Sequence, residues 1–186
     1  DQYDAEDNAS ERSVLAECIR DSIQICYESG EEYHHNYTNQ RMPLTGDTLS
    51  SLVTMLHQCI DESVKVLETM YKEIDFNDRE MDDARNQFEE AAGEEKDCVE
   101  CLLDAMGYVI RYTSVQIQPL FAEKLLPSCQ QAMQSSFEYI QFTGVCTMDD
   151  MLLYASPIMN EFVPPMMNYF SQHMNCEDPA LRQAVL

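Results

Sequence analysis

The sequence predicts an all-α fold, a superhelix of stacked antiparallel helix pairs. Three observations carry that prediction. Apolar residues recur at helical steps of three and four along most of the chain. Helix starts are marked by a capping residue next to proline, as in Ser156-Pro157 and Asp178-Pro179. Comparable helix starts fall at 97, 136 and 178, which are 39 and 42 apart, and two interior prolines, Pro127 and Pro164, are 37 apart.

In chain order, residues 1–9 are acidic and polar and read as a lead-in. A helix is expected from Ser10, with Val14, Leu15, Cys18, Ile19, Ser22, Ile25 and Cys26 on one face and Gly30 as its stop. Residues 31–46, with Pro43 and Gly46, read as a loop. Asp47 or Thr48 then caps a long helix whose stripe runs through Leu49, Leu52, Val53, Leu56, Ile60, Val64, Leu67, Met70 and Tyr71.

The next stretch, 74–97, differs in kind, with ten acidic residues and three basic ones. Residues 74–96 are expected to form an acidic insertion broken at Gly93. From Asp97 a regular helix is predicted, with Cys98, Cys101, Leu102, Ala105, Tyr108, Val109 and Tyr112 facing one way. In the helix after it, Leu120, Phe121, Leu125, Cys129 and Met133 point inward, and Pro127 is expected to distort its interior. A helix from Phe137 follows, with apolar or small residues at 137, 140, 144, 148, 151, 152 and 155. Another is expected across 157–175 with Pro164-Pro165 inside it, and Asp178-Pro179 opens the last. The helix pairs are thus 10–73, 97–134 and 136–175, with a further one starting at 178. A period of about 40–47 residues per helix pair is that of HEAT and armadillo repeats, against roughly 34 for tetratricopeptide repeats. The spacing favours a HEAT-repeat solenoid. The chain starts at Asp rather than Met and its last helix is short, so a piece of a longer protein is expected.

Charge narrows the partners. The chain carries 34 acidic and 11 basic residues, a net charge of −23. Such a surface repels nucleic acid and anionic lipid and attracts basic proteins. No apolar run reaches the roughly 18 residues of a membrane span. The eight cysteines sit mostly in apolar helical stripes, which fits reduced thiols acting as small hydrophobes.

Motifs for chemistry are sparse. Cys98-x-x-Cys101 would be half a zinc site and needs two further ligands; His34-His35 is the one tempting partner, in a distant loop. Both cysteines fit their helix's stripe, so packing is the expected role. Asp149 and Asp150 are adjacent on a helix, point about 100° apart, and read as a solvated face. His57 and His173 have no carboxylate or nucleophile at a fixed short spacing, and the five glycines form no phosphate loop. No nucleophile, base and oxyanion hole come together. The expectation is a protein that catalyses nothing and uses no cofactor or metal.

The order and spacing of several segments resemble the importin-beta (karyopherin) superfamily, in particular its importin beta-three type. The carriers are Pro119-Leu-Phe-Ala-Glu-Lys-Leu-Leu-Pro127, Gly144-Val-Cys146 followed by Met148-Asp149-Asp150, Ala155-Ser156-Pro157, Pro165-Met166-Met167, and Asp178-Pro179-Ala180-Leu181-Arg182-Gln183-Ala184. The acidic segment falls where that receptor type has an acid-rich insertion. The resemblance implies a HEAT-repeat nuclear import receptor that shuttles between cytoplasm and nucleus. It would bind basic cargo with nuclear localisation signals, Ran-GTP and FG nucleoporins. The second helices of the pairs, 47–73, 116–134 and 157–175, would line the concave face. Asp75, Asp78, Glu80, Asp82, Asp83, Glu89, Glu90, Glu94 and Glu95 are the expected contacts for basic cargo or Ran. A HEAT scaffold of another kind, such as a phosphatase regulatory subunit, is the alternative.

Overall fold

The computed structural model describes residues 2–28, 46–73, 81–155 and 158–186. Among them the chain is almost all helix, with short turns and links and without a strand. Three long helices come first: α1 (Gln2–Glu28), α2 (Gly46–Glu73) and α3 (Met81–Thr113). A 3-10 turn, Ser114–Ile117, leads into α4 (Gln118–Leu120), a π-helical turn at Phe121–Leu125, and α5 (Leu126–Ala132). Then follow α6 (Glu138–Tyr154), a 3-10 turn at Ile158–Glu161, α7 (Val163–His173) and α8 (Pro179–Ala184).

The helices lie in pairs and rows. α1 runs parallel to α3, since Arg12 meets Glu95 and Arg20 feels Asp104. α3 runs parallel to α6: the Tyr139 hydroxyl donates to the Lys96 carbonyl, 43 residues away, and Gly107 faces Asp150. α6 relates to α8 in the same way, with the Asp178 amide donating to Glu138 at a separation of 40. Val145, further along α6, packs on Leu181 and Val185. α2 runs against α3, with Tyr71 on Phe88 and Ser63 beside Cys98. Along its other side α2 runs parallel to the α4–α5 segment, Lys124 donating to Thr54 and Ser128 meeting His57, separations of 70 and 71. One row is therefore α1, α3, α6 and α8. α2 and α4–α5 begin a second.

Burial explains which residues hold the rows. On α2 the expected stripe is the buried one: Leu49, Val53, Leu56, Ile60 and Leu67. α3 is buried on more than one side, through Phe88, Ala92, Val99, Leu102, Met106 and Ile110, because α1, α2 and α6 all pack on it. α6 has apolar or small residues on most of its surface and is enclosed by α3, α5 and α8. Its Gly144 lies so close to α5 that a Cβ would come 2.7 Å from the Cys129 carbonyl oxygen. That neighbour is backbone and cannot swing away. Gly144→Ala is expected to lose about 1–3 kcal/mol of stability, read as a lower urea midpoint with an unchanged slope; an unchanged midpoint would mean that α5 and α6 do not meet this closely.

Several element boundaries and faces differ from the sequence reading. α3 starts at Met81 rather than Asp97 and runs through Gly93, so the part of the acidic stretch after residue 80 is helix continuous with the core helix. A single glycine in a helix costs only about 1 kcal/mol, which the burial of Phe88 and Ala92 on the same helix outweighs. On α1 the buried residues are Ala9, Ala16 and Ile23, while Val14 and Leu15 are 56% and 42% exposed. Small residues face α3 because they allow two helices to approach closely. α7 begins at Val163, so Pro164 and Pro165 sit in its first turn. There their missing amides cost no hydrogen bond, which removes the expected interior distortion. Pro127 does distort its segment. The π turn just before it widens the helix, and the Leu126 amide reaches back to the Phe121 carbonyl. Asp178 caps α8 as expected, its carboxylate accepting from the Leu181 amide at 2.9 Å. Gly30 and Ser156-Pro157 lie outside the described residues.

Candidate functional site

Of the nine acidic residues expected to meet partners, three have described side chains, and one of these, Glu95, is buried. Asp75, Asp78 and Glu80 lie outside the described residues; Asp82, Asp83 and Glu90 lie on α3. Glu89 is exposed and pairs with Lys96, whose ammonium also sits over the rings of Phe88 and Tyr139 at 5.1 and 4.9 Å. Glu94 is exposed. Glu95 turns inward, 4% exposed, and binds Arg12 at 2.6 Å. Its place on the core face follows from helical steps: Phe88, Ala92, Glu95 and Val99 are three or four apart.

A second acidic group is better organised. The first half of it comes from α3, as Glu100 and Asp104; the second comes from α6, as Asp149 and Asp150. These four carboxylates border a cleft of about 970 Å³ between α3, α6, α7 and α8. Apolar side chains form much of the rest of its wall, among them Leu103, Phe142, Phe170, Met167 and Met174, the last two 60% and 46% exposed; Ser171 and Gln183 add neutral polar groups. The lining includes no Lys, Arg or His.

Asp150 is the focus of the cleft. Its carboxylate lies against Gly107, where a Cβ would come within 2.5 Å of Oδ2. Burial pushes its pKa up to about 7, with further contributions from the charges of Asp149 and Asp104. Burial likewise raises Asp149, and pushes the neighbouring Cys146 thiol up to about 12, with the charges of Asp150 and Asp149 adding to it. The sequence expectation of a solvated Asp149-Asp150 face therefore fails at Asp150. Parallel packing of α6 on α3 sets this residue against a glycine and leaves it half-buried. The sequence signal was present but indirect: Gly107 and Asp150 are separated by the same 43 positions as Lys96 and Tyr139.

His57 also has closer company than the sequence suggested. Asp61 lies one helical turn on, its Oδ2 3.7 Å from Nε2, and Ser128 Oγ from α5 lies 3.2 Å from the same nitrogen. These groups border a second cavity, of about 450 Å³. A catalytic relay needs the carboxylate on one ring nitrogen and the hydroxyl on the other. Both address Nε2 here, so the arrangement joins α2 to α5 rather than activating Ser128. His173 stacks on Tyr169 at 4.0 Å between ring centroids, and its Nδ1 lies 2.9 Å from that residue's carbonyl oxygen.

Of the two cysteines in the Cys-x-x-Cys pair, Cys98 is fully buried with its sulfur 3.7 Å from the Ser63 hydroxyl, and Cys101 is half-buried. Among the described residues no three His, Cys, Asp or Glu side chains are placed to share a metal ion, and no helix is long and apolar enough to cross a membrane.

No protein family, curated protein or solved structure matches the chain.

Proposed function

We propose that this chain is part of a HEAT-repeat solenoid that binds proteins, and within that class part of a nuclear import receptor of the importin-beta type. The observation that carries the reading is the register of the first row. Successive parallel helices, α3 to α6 and α6 to α8, are related by shifts of 43 and 40 residues. A solenoid repeats a helix pair at that interval, each pair touching only its neighbours. The resemblance in sequence order supplies the narrower class. The large acid excess fits partners that carry lysine and arginine. On this reading the chain binds basic cargo, Ran-GTP and FG nucleoporins, moves between cytoplasm and nucleus, and makes or breaks no bond.

The test is a pull-down from purified components. Immobilised chain is expected to retain Ran loaded with GTP in preference to GDP, and a cargo with a lysine-rich localisation signal, with both lost as salt is raised. Recovery of a phosphatase catalytic subunit in place of these would support the scaffold reading and overturn the receptor one. For the acidic stretch the informative variant is Glu89→Lys/Glu94→Lys. Both side chains are exposed; because Glu89 also pairs with Lys96, the variant's urea midpoint is measured beside its affinity to separate lost contact from lost stability. Cargo or Ran affinity is expected to fall about three- to tenfold, read by titration; unchanged affinity would remove this segment from the binding surface.

A further inference from the structure

The cleft between α3, α6, α7 and α8 combines two features that select an occupant. Part of its wall is apolar, with Met167 and Met174 well exposed to water. Its four carboxylates are arranged on two neighbouring helices without a basic residue in the lining. An apolar ligand alone would leave the carboxylates unpaired, and a free cation alone would leave the methionine and phenylalanine surface exposed. A segment carrying both lysine or arginine and large apolar side chains satisfies the whole wall. Flexible methionines adapt to such segments.

We propose that this cleft is a docking site for a basic amphipathic peptide segment of a protein partner. The segment's cations pair with Glu100, Asp104, Asp149 and Asp150, and its apolar side chains pack on Phe142, Phe170 and Met167. This deepens the cargo-binding reading and takes from it that the partner is a protein. It also places the dock largely on the first row of helices, whereas the resemblance implies contacts from the second helices of the pairs.

Asp150 makes the dock sensitive to pH. The titratable groups in the lining are Glu100 and Asp104 from α3 and Cys146 and Asp149 from α6; α7 and α8 contribute only neutral residues to the wall. One turn beyond Gly107, Arg111 lies over the rings of Tyr112 and Tyr154. With its pKa near 7, Asp150 holds a proton in a large share of molecules at neutral pH. A bound ammonium or guanidinium favours the carboxylate, so binding expels that proton and affinity rises with pH.

The experiment is fluorescence anisotropy with two labelled peptides of equal charge. One alternates lysine and leucine at helical spacing, and the other replaces leucine by serine. Wild type is expected to bind the lysine–leucine peptide about tenfold more tightly than the lysine–serine peptide. Asp104→Asn/Asp149→Asn/Asp150→Asn is expected to weaken the first peptide about tenfold. Neutralising the exposed Glu17, Glu123 and Glu161 instead removes the same charge and is expected to cost less than about threefold. Met167→Ser should weaken only the lysine–leucine peptide. Affinity of wild type should rise about fivefold from pH 6 to 8, and that rise should be absent in Asp150→Asn. Equal weakening by the two charge-neutralised variants, or equal binding of the two peptides to wild type, overturns the dock. Loss of Ran-GTP binding with peptide binding intact would remove the receptor reading alone.

Discussion

Asp150→Asn is expected to stabilise the protein at pH 8 and by only about a third as much at pH 5. The folded chain holds this carboxyl's pKa near 7, above the ordinary aspartate value of 3.8. Between those values the folded state binds a proton that the unfolded state has released, so stability falls as pH rises through that window. Above pH 7 the folded protein carries the full cost of a charge crowded by Asp149 and Asp104 and partly removed from water. Each pKa unit corresponds to about 1.4 kcal/mol, which sets a ceiling of about 4 kcal/mol. The cleft is open to solvent, so about 2 kcal/mol is the working figure. Asparagine keeps the shape and removes the charge. A thermal melt of this chain should shift upward by about 4–8 °C at pH 8. A shift of the same size at pH 5 would show that the cost is steric and not electrostatic. A carboxylate that lowers stability where it stands is a feature of binding sites, which give up stability to present unpaired charge. The same substitution should therefore stabilise the chain and weaken the peptide dock.

Helical content and the α2 and α6 stripes were legible in the sequence because the 3.6-residue period is a local property. Leu49, Val53 and Leu56 announce their face without help from any neighbour. The face of α1 was not legible. Val14 and Leu15 outweigh Ala9 and Ala16 in hydrophobicity, yet close approach to α3 selects the alanines. Continuity of α3 was hidden for a related reason. Its first turns are written in acidic residues, and only the inward placement of Phe88, Ala92 and Glu95 shows that they belong to the core helix. Asp178 was read correctly as a cap because capping depends on residues three apart. Asp150 was misread because its surroundings come from a different helix. The same limit applies to His57, whose serine neighbour is 71 positions away. Side chains whose roles are set by distant helices become visible only once the register between rows is known.

That register is where the largest destabilisation is expected. Glu95→Ala should lose about 3 kcal/mol, the usual cost of removing one partner from a buried ion pair. Glu95 and Arg12 have side chains 5% and 18% exposed and meet at 2.6 Å. Arg12 Nε is buried with no hydrogen-bond partner, so the pair with Glu95 is a main compensation for its charge. Removing Glu95 strands a guanidinium between α1 and α3. Removing both charges does not: Arg12→Met/Glu95→Leu keeps volume and is expected within about 1 kcal/mol of wild type. A double-mutant cycle through Arg12→Met, Glu95→Leu and their combination, read on urea midpoints, should return a coupling of about 2–3 kcal/mol, with little dependence on salt because the pair is largely shielded from water. Equal losses in the single and double variants would assign the effect to packing of the side-chain stems. Ala9 and Ala16 are buried but small, so they constrain the register of α1 on α3 less than larger side chains would. One half-buried cation opposite one buried anion sets it, since a slip of a single turn would leave both unpaired. The ion pair thus fixes which residues of the first row stand side by side.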